Sequence, residues 1–220
     1  ICCTHYGRPH LKLYDFALAP NPRRVRMFLV EKGIEVPSVQ INTRQREQFS
    51  DTYRAINPYC QVPALEVDDG TIITESVSIC RYFEEIHPEP LLMGRDPLDK
   101  AIVDMWNRRV EFGGYQPVAE AVRNTLPMFE GRGLAGMPGG VPQIPALADR
   151  GKMAFGRFLS QIDDRLGDSE FIAGDDFTIA DITAFVAIEF GGLVDLGIPM
   201  EDANVARWHD QVAARSSAKV

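Results

Sequence analysis

Residues 88–97 read PEPLLMGRDP, with three prolines and a glycine in ten positions. Proline removes a backbone donor and fixes its own φ, so neither a helix interior nor a central strand can run through such a stretch. Whatever this chain folds into must break here, and the hydrophobic patterning differs on the two sides. Before the break, short strand-like and helix-like pieces alternate; after it, every periodic segment has helical spacing. We read a linker over Pro88–Pro97, an α/β domain over residues 10–88 and an all-helical domain over residues 98–220.

In the first half, LKLYDF (Leu11 to Phe16) alternates as a strand does. PRRVRMFLVEKGI then sets Val25, Phe28 and Leu29 on one helical face and stops at Gly33. VPSVQIN gives a second strand, and a polar, weakly periodic stretch runs from Thr43 to Ile56. PALEVDDGTIIT is a hairpin turning at Asp68-Asp69-Gly70. ESVSICRYFEEIH is a helix with Ile79, Cys80, Phe83 and Ile86 as its buried stripe. The order is β-α-β-(α)-β-β-α.

In the second half, LDKAIVDMWNRRVEFGGY opens a helical run to about Arg123. LPMFEGRGLAGMPGGVPQIP is rich in glycine and proline and too long for an ordinary connection, which marks it as a mobile or functional loop, a candidate lid. Helices resume at ALADRGKMAFGRFLSQIDDRLG, TIADITAFVAIEFGGL and NVARWHDQVAAR. Thr178-Ile179-Ala180-Asp181 is a capping-box variant with Asp in the usual Glu or Gln place.

Several function classes are disfavoured at once. The net charge is −8, which argues against a nucleic-acid partner. No run approaches the length of a membrane helix, and Ile1 to Pro9 has no secretory pattern. Cys2, Cys3, Cys60 and Cys80 show no CxxC spacing, and His5, His10, His87 and His209 are scattered. A reduced, cytoplasmic protein without a metal site is the expectation.

The stretch NPYCQVPAL (residues 57–65) puts Pro63 at the mouth of a buried strand, where it cannot donate to a ladder. Together with APNPRRVRMFLVEKGI, ESVSICRYF twelve residues after Pro63, and FTIADITAF in the helical half, it resembles the soluble glutathione transferases. The likeness covers nearly the whole chain from Leu11 on. It implies a thioredoxin-like first half, a helical second half, glutathione as cosubstrate, and a homodimer. In that family the proline matching Pro63 is cis, and the N–H and C=O of the residue before it, here Val62, pair with the cysteinyl backbone of glutathione. The bland alternative for Pro63 is a tight turn before a strand.

Glu75-Ser76 opens the next helix. Free amides and the positive helix end favour a carboxylate there, Ser76 adds a hydroxyl, and Glu75 can accept from an ammonium group. The γ-glutamyl end of glutathione carries both charges; the competing role is helix capping. Gln48 lies fifteen residues before Pro63, and a glutamine at that spacing reaches the glycyl end in nu-class transferases. Its competing role is a solvated polar residue. Arg54 and the Arg23-Arg24-Arg26 cluster offer local positive charge, with surface solvation the simpler role for most of them.

Conjugation needs the thiolate. Aligned on the family's first helix, Ala19 stands where theta, zeta and phi members carry Ser and beta members carry Cys, and it has no polar atom. Nu-class members carry an asparagine two positions on, and Asn21 stands there, so Asn21 is the candidate thiolate stabiliser. Its competing role is N-cap before Pro22. Tyr14 is the other hydroxyl candidate, and Cys60 the candidate for a mixed disulfide. Trp106, Arg109, Phe112 and Tyr115 recur at helical spacing and are expected, in part, to line an apolar cleft for the second substrate. The activity so read is attack of glutathione thiolate on a small electrophile. The rivals are a glutathione-dependent disulfide reductase and a non-catalytic binding or regulatory protein of the same fold, which Ala19 makes credible.

Overall fold

A computed structural model describes residues 11–220. Cys2, Cys3, His5, His10 and the N-terminal stretch discussed above lie outside the described residues. The first half holds β1 (Lys12–Asp15), α1 (Pro20–Lys32), β2 (Ser38–Gln40), α2 (Asp51–Ile56), β3 (Ala64–Glu66), β4 (Ile72–Thr74) and α3 (Ser76–Ile86). The sheet order is β2-β1-β3-β4. β1 runs parallel to β2 and antiparallel to β3, with Leu13 opposite Ser38 and Leu65. β3 and β4 form the hairpin read from the sequence. This is the thioredoxin-like α/β arrangement.

α1 and α3 cover the sheet through Val25, Phe28, Ile79 and Phe83, all fully buried. α1 ends where Gly33 takes a left-handed φ of 65°, and its N–H and that of Ile34 turn back onto the last carbonyls. Such a cap suits glycine because it has no Cβ to clash. The α3 stripe is one turn shorter than its spacing suggests: Ile79, Cys80 and Phe83 are buried, but Ile86 is 45% exposed. Ile86 is the last residue of the helix, and the chain leaves toward the linker before anything packs over it.

The linker is fixed in place. Lys32 Nζ sits 2.5 Å from Glu84 Oε2, with both side chains closed to water. The same ammonium donates to the carbonyls of His87, Pro88 and Pro90. Glu84 in turn accepts from the N–H groups of Leu92 and Met93. Burying either charge alone would be costly; together with five backbone groups they satisfy one another.

The second half is helical: α4 (Pro97–Val110), α5 (Gln116–Thr125), α6 (Pro145–Gly167), α7 (Ile179–Gly191) and α8 (Ala203–Ala213). A π-turn, Glu111–Tyr115, joins α4 to α5 without a break. Such turns insert one residue into a helix and shift the faces that follow. α6 packs close against this turn: a Cβ on Gly114 would meet the Phe158 ring at 2.6 Å. α7 is buried nearly all round. Thr178 caps it reciprocally with Asp181, as the TIAD pattern predicts, and Asp181 also accepts from Ile172 N–H and from Trp208 Nε1.

The loop between α5 and α6 is braced rather than free at its base. Gln143 Nε2 donates to the carbonyls of Arg123 and Leu126, and Asn124 Oδ1 accepts from Ile144 N–H. Its middle touches the first half, where Arg132 donates to Thr43 O and Arg46 to Pro138 O.

Candidate active site

The starts of α1 and α3 and the chain ahead of β3 meet at one shallow groove. Asn21, Val62, Pro63, Glu75 and Ser76 line it, together with Asn57, Tyr59, Gln61 and Thr74. The Val62–Pro63 bond is cis. Among the described residues, Val62 N–H and C=O take no hydrogen-bond partner, whereas the adjacent Gln61 carbonyl accepts from both Tyr53 Oη and Asn57 Nδ2. The loop is therefore held from behind, and the Val62 peptide groups stay unpaired beside the groove.

The start of α3 faces the same place. Glu75 is the residue before the helix, holds a left-handed φ of 65°, is exposed, and makes no capping bond with its side chain. Its carboxylate is therefore available rather than used as a cap. Ser76 is buried, and its hydroxyl donates to the Asn21 carbonyl at 3.1 Å.

α1 begins two residues earlier than the Asn-Pro pair suggests. Ala19 is the capping residue and makes no side-chain bond, Pro20 is the first helical residue, and Asn21 is the second. Asn21 is therefore not an N-cap. Pro20 and Pro22 carry no N–H, so Asn21 supplies the backbone donor among the first three helical positions. Its side-chain Oδ1 accepts from Arg24 Nη1 at 3.3 Å. A guanidinium has donors only, so the amide must present its oxygen to Arg24, and its Nδ2 donors are turned away from that contact.

Arg24 was the residue least visible to sequence reasoning. It is not on the solvated surface but 4% exposed. Its Nη2 donates to Glu111 Oε1 at 2.6 Å and to Thr183 Oγ1 at 3.0 Å, and Tyr115 lies over it at 5.2 Å. The signal was its position four residues before Phe28, on the apolar face of α1.

The remaining candidates fall elsewhere. Gln48 is 5% exposed on a short 3₁₀ turn, so it is not a solvated polar residue, and its Oε1 has no partner; it does not line the groove. Tyr14 Oη donates to Glu66 at 2.7 Å, and burial followed by that contact raises its pKa, so it holds its proton away from the groove. Cys60 Sγ rests on Pro58 O and is outside the groove lining.

Trp106, Arg109, Phe112 and Tyr115 do not form one cleft. Trp106, Arg109 and Phe112 line a cavity of about 730 Å³ with Phe158 and Ile162 of α6, and no residue of the first half lines it. Arg109 and Arg165 each lie over the Trp106 ring, at 4.6 and 5.1 Å. Tyr115 is on the other side, against Phe190 and Arg24. Successive steps of three residues drift about 60° around a helix, so Tyr115, nine residues after Trp106, comes round to the opposite face. The larger cavity thus shares no lining residue with the groove.

Comparison with known proteins agrees with this fold. Residues 19–86 match the model of the glutathione S-transferase N-terminal domain, and residues 145–211 that of its C-terminal domain. The chain is 32% identical over 216 residues to glutathione S-transferase 2 of Saccharomyces cerevisiae, covering 94% of this chain and 87% of that one. It belongs to the glutathione transferase family. The solved structure of Gtt2 from S. cerevisiae superposes with a TM-score of 0.87 at 30% identity, over 94% of this chain and 98% of that one. A glutathione S-transferase domain-containing protein of Marinobacter aquaeolei superposes with a TM-score of 0.85 at 33% identity, over the same shares. As an enzyme of this family, the transferase presents its unpaired donors and acceptors at the edge of the thioredoxin-like half. Among the described residues, no helix is long and apolar enough to cross a membrane.

Proposed function

We propose that this transferase conjugates glutathione to a small electrophile, with the tripeptide lying in the groove between α1, α3 and the Val62 peptide. Val62 N–H and C=O pair with the cysteinyl backbone as a short added strand. Glu75 accepts from the γ-glutamyl ammonium, and the uncapped α3 start receives the neighbouring carboxylate. Asn21 Nδ2 donates to the sulfur and, with the α1 dipole, holds it as thiolate.

The observation that carries this reading is the orientation of Asn21: its oxygen is engaged by Arg24, which leaves the amide donors for an anion. The protein works in the cytoplasm as a homodimer, which sedimentation of the purified chain would test.

The test is a pair of assays on the same preparation. Turnover of a chlorodinitrobenzene-type electrophile should exceed turnover of 2-hydroxyethyl disulfide. The reverse order would make the chain a disulfide reductase. No binding at millimolar glutathione would make it a non-catalytic member of the fold.

A further inference from the structure

We propose that Arg24 is the positioning residue for the thiolate donor, so that the helical half sets the acidity of glutathione bound by the other half. The inference rests on the role given to Asn21 above. Arg24 does not line the groove; it acts through the one groove residue that it touches.

The geometry has three parts. First, the anchors of Arg24 come from the helical half. Glu111 and Tyr115 are the two ends of the π-turn, and Thr183 is on α7. Thr183 is itself fixed, donating to Asn107 Oδ1 at 2.7 Å, and Glu111 is held a second time by Arg108 at 3.0 Å. Second, the other arm of the guanidinium meets Asn21 Oδ1. Rotating that amide by half a turn would set its NH₂ against a group with no acceptor, so one of its two orientations is strongly disfavoured. Third, the Asn21 backbone is pinned by Ser76. Main chain and side chain are then both fixed, which is what a hydrogen bond to a developing anion requires to be worth its full strength.

The charge on Arg24 is not the main agent. Glu111 stands against it at 2.6 Å and offsets its charge, with Arg108 beyond and the buried Cys80 thiol nearby. Lysine could keep the positive charge beside Glu111, but its single nitrogen cannot also span to Thr183 and Asn21 in fork geometry.

The experiment titrates the ultraviolet thiolate band of glutathione bound to the full chain, in the wild type, Arg24→Lys, Asn21→Ala and the double variant. Arg24→Met removes one of the two cations at Glu111 together with the buried guanidinium and is the variant more prone to misfold, so Arg24→Lys, which retains the charge, carries the test. Arg24→Lys should cut the thiolate fraction at a given pH by about tenfold, one unit of pKa, with glutathione affinity little changed. The double variant should titrate like Asn21→Ala alone, because one residue acts through the other. A wild-type titration in Arg24→Lys beside a shifted one in Asn21→Ala overturns the inference and leaves the role of Asn21 intact. A shift in Arg24→Lys with none in Asn21→Ala overturns both. Shifts that add in the double variant make Arg24 an independent agent and likewise refute the relay.

Discussion

The Ser76 hydroxyl donates to the backbone carbonyl of Asn21 at 3.1 Å, tying the first turn of α3 to the first turn of α1. Two helix starts, each the positive end of its dipole, are thereby held side by side along one groove. The residues at those starts divide the work of holding an anionic thiol and a zwitterionic amino-acid end, and substitutions there should separate the two tasks.

Asn21→Ala removes the side-chain donor and leaves the helix start unchanged in its prolines. The thiol of bound glutathione should rise by about one to two pKa units, the worth of one hydrogen bond to a charged acceptor. The thiolate absorbance titration measures it, with affinity at low pH as the control that binding itself survives.

Glu75→Ala should do the opposite. Glutathione affinity should fall by about tenfold, one charge-assisted contact, while the pKa of the bound thiol stays put. Glu75 is exposed and caps nothing, so thermal stability should be close to wild type. Isothermal titration and the absorbance titration together check both halves, and equal affinity in the variant would remove Glu75 from the γ-glutamyl contact.

Lys32→Met leaves Glu84 buried without its cation. The expected loss is about 3–5 kcal/mol of unfolding free energy, read from a urea transition. A loss under about 1 kcal/mol, the scale of surface pairs, would mean that neither the ion pair nor the Lys32 bonds to the linker carbonyls hold this junction.

Glu31 gives a pH signature. Burial pushes its carboxyl up, but hydrogen bonds from Arg215 and Ser217, with the Arg215 charge, pull it further down, so it lies below its ordinary 4.5. A depressed folded value means that its stabilisation is complete above 4.5 and is lost as pH falls through the lower folded value. Glu31→Gln should therefore cost about 1–2 kcal/mol near neutrality, and the melting temperatures of variant and wild type should converge in acid. A constant gap at all pH values would contradict the assignment.

Much of the architecture could be read from the residues alone because local signals agreed with the global fold. The turn at Asp68-Asp69-Gly70, the stop at Gly33 and the TIAD cap each have a short-range cause, and each appears where expected. What escaped was whatever depended on a partner distant in sequence. Arg24 looks like its neighbours Arg23 and Arg26 until Glu111 and Thr183, 87 and 159 positions away, arrive beside it. The π-turn is equally silent, since EFGGY has no pattern that demands an extra residue per turn. Of the groove, the sequence suggested Asn21, Val62, Glu75 and Ser76 as candidates, and the described geometry brings them together; Gln48 it does not.

Lys32 and Glu84 weld the junction at residues 88–97 instead of leaving it a swivel. The two halves therefore present themselves to ligands as one stiff body, and the room needed to admit a second substrate has to come from the surface loops around the groove. The same weld limits exchange of parts: a chimera that borrows its first half from a relative must import an ammonium at the end of α1 and a carboxylate near the end of α3, or the graft will lack its keystone.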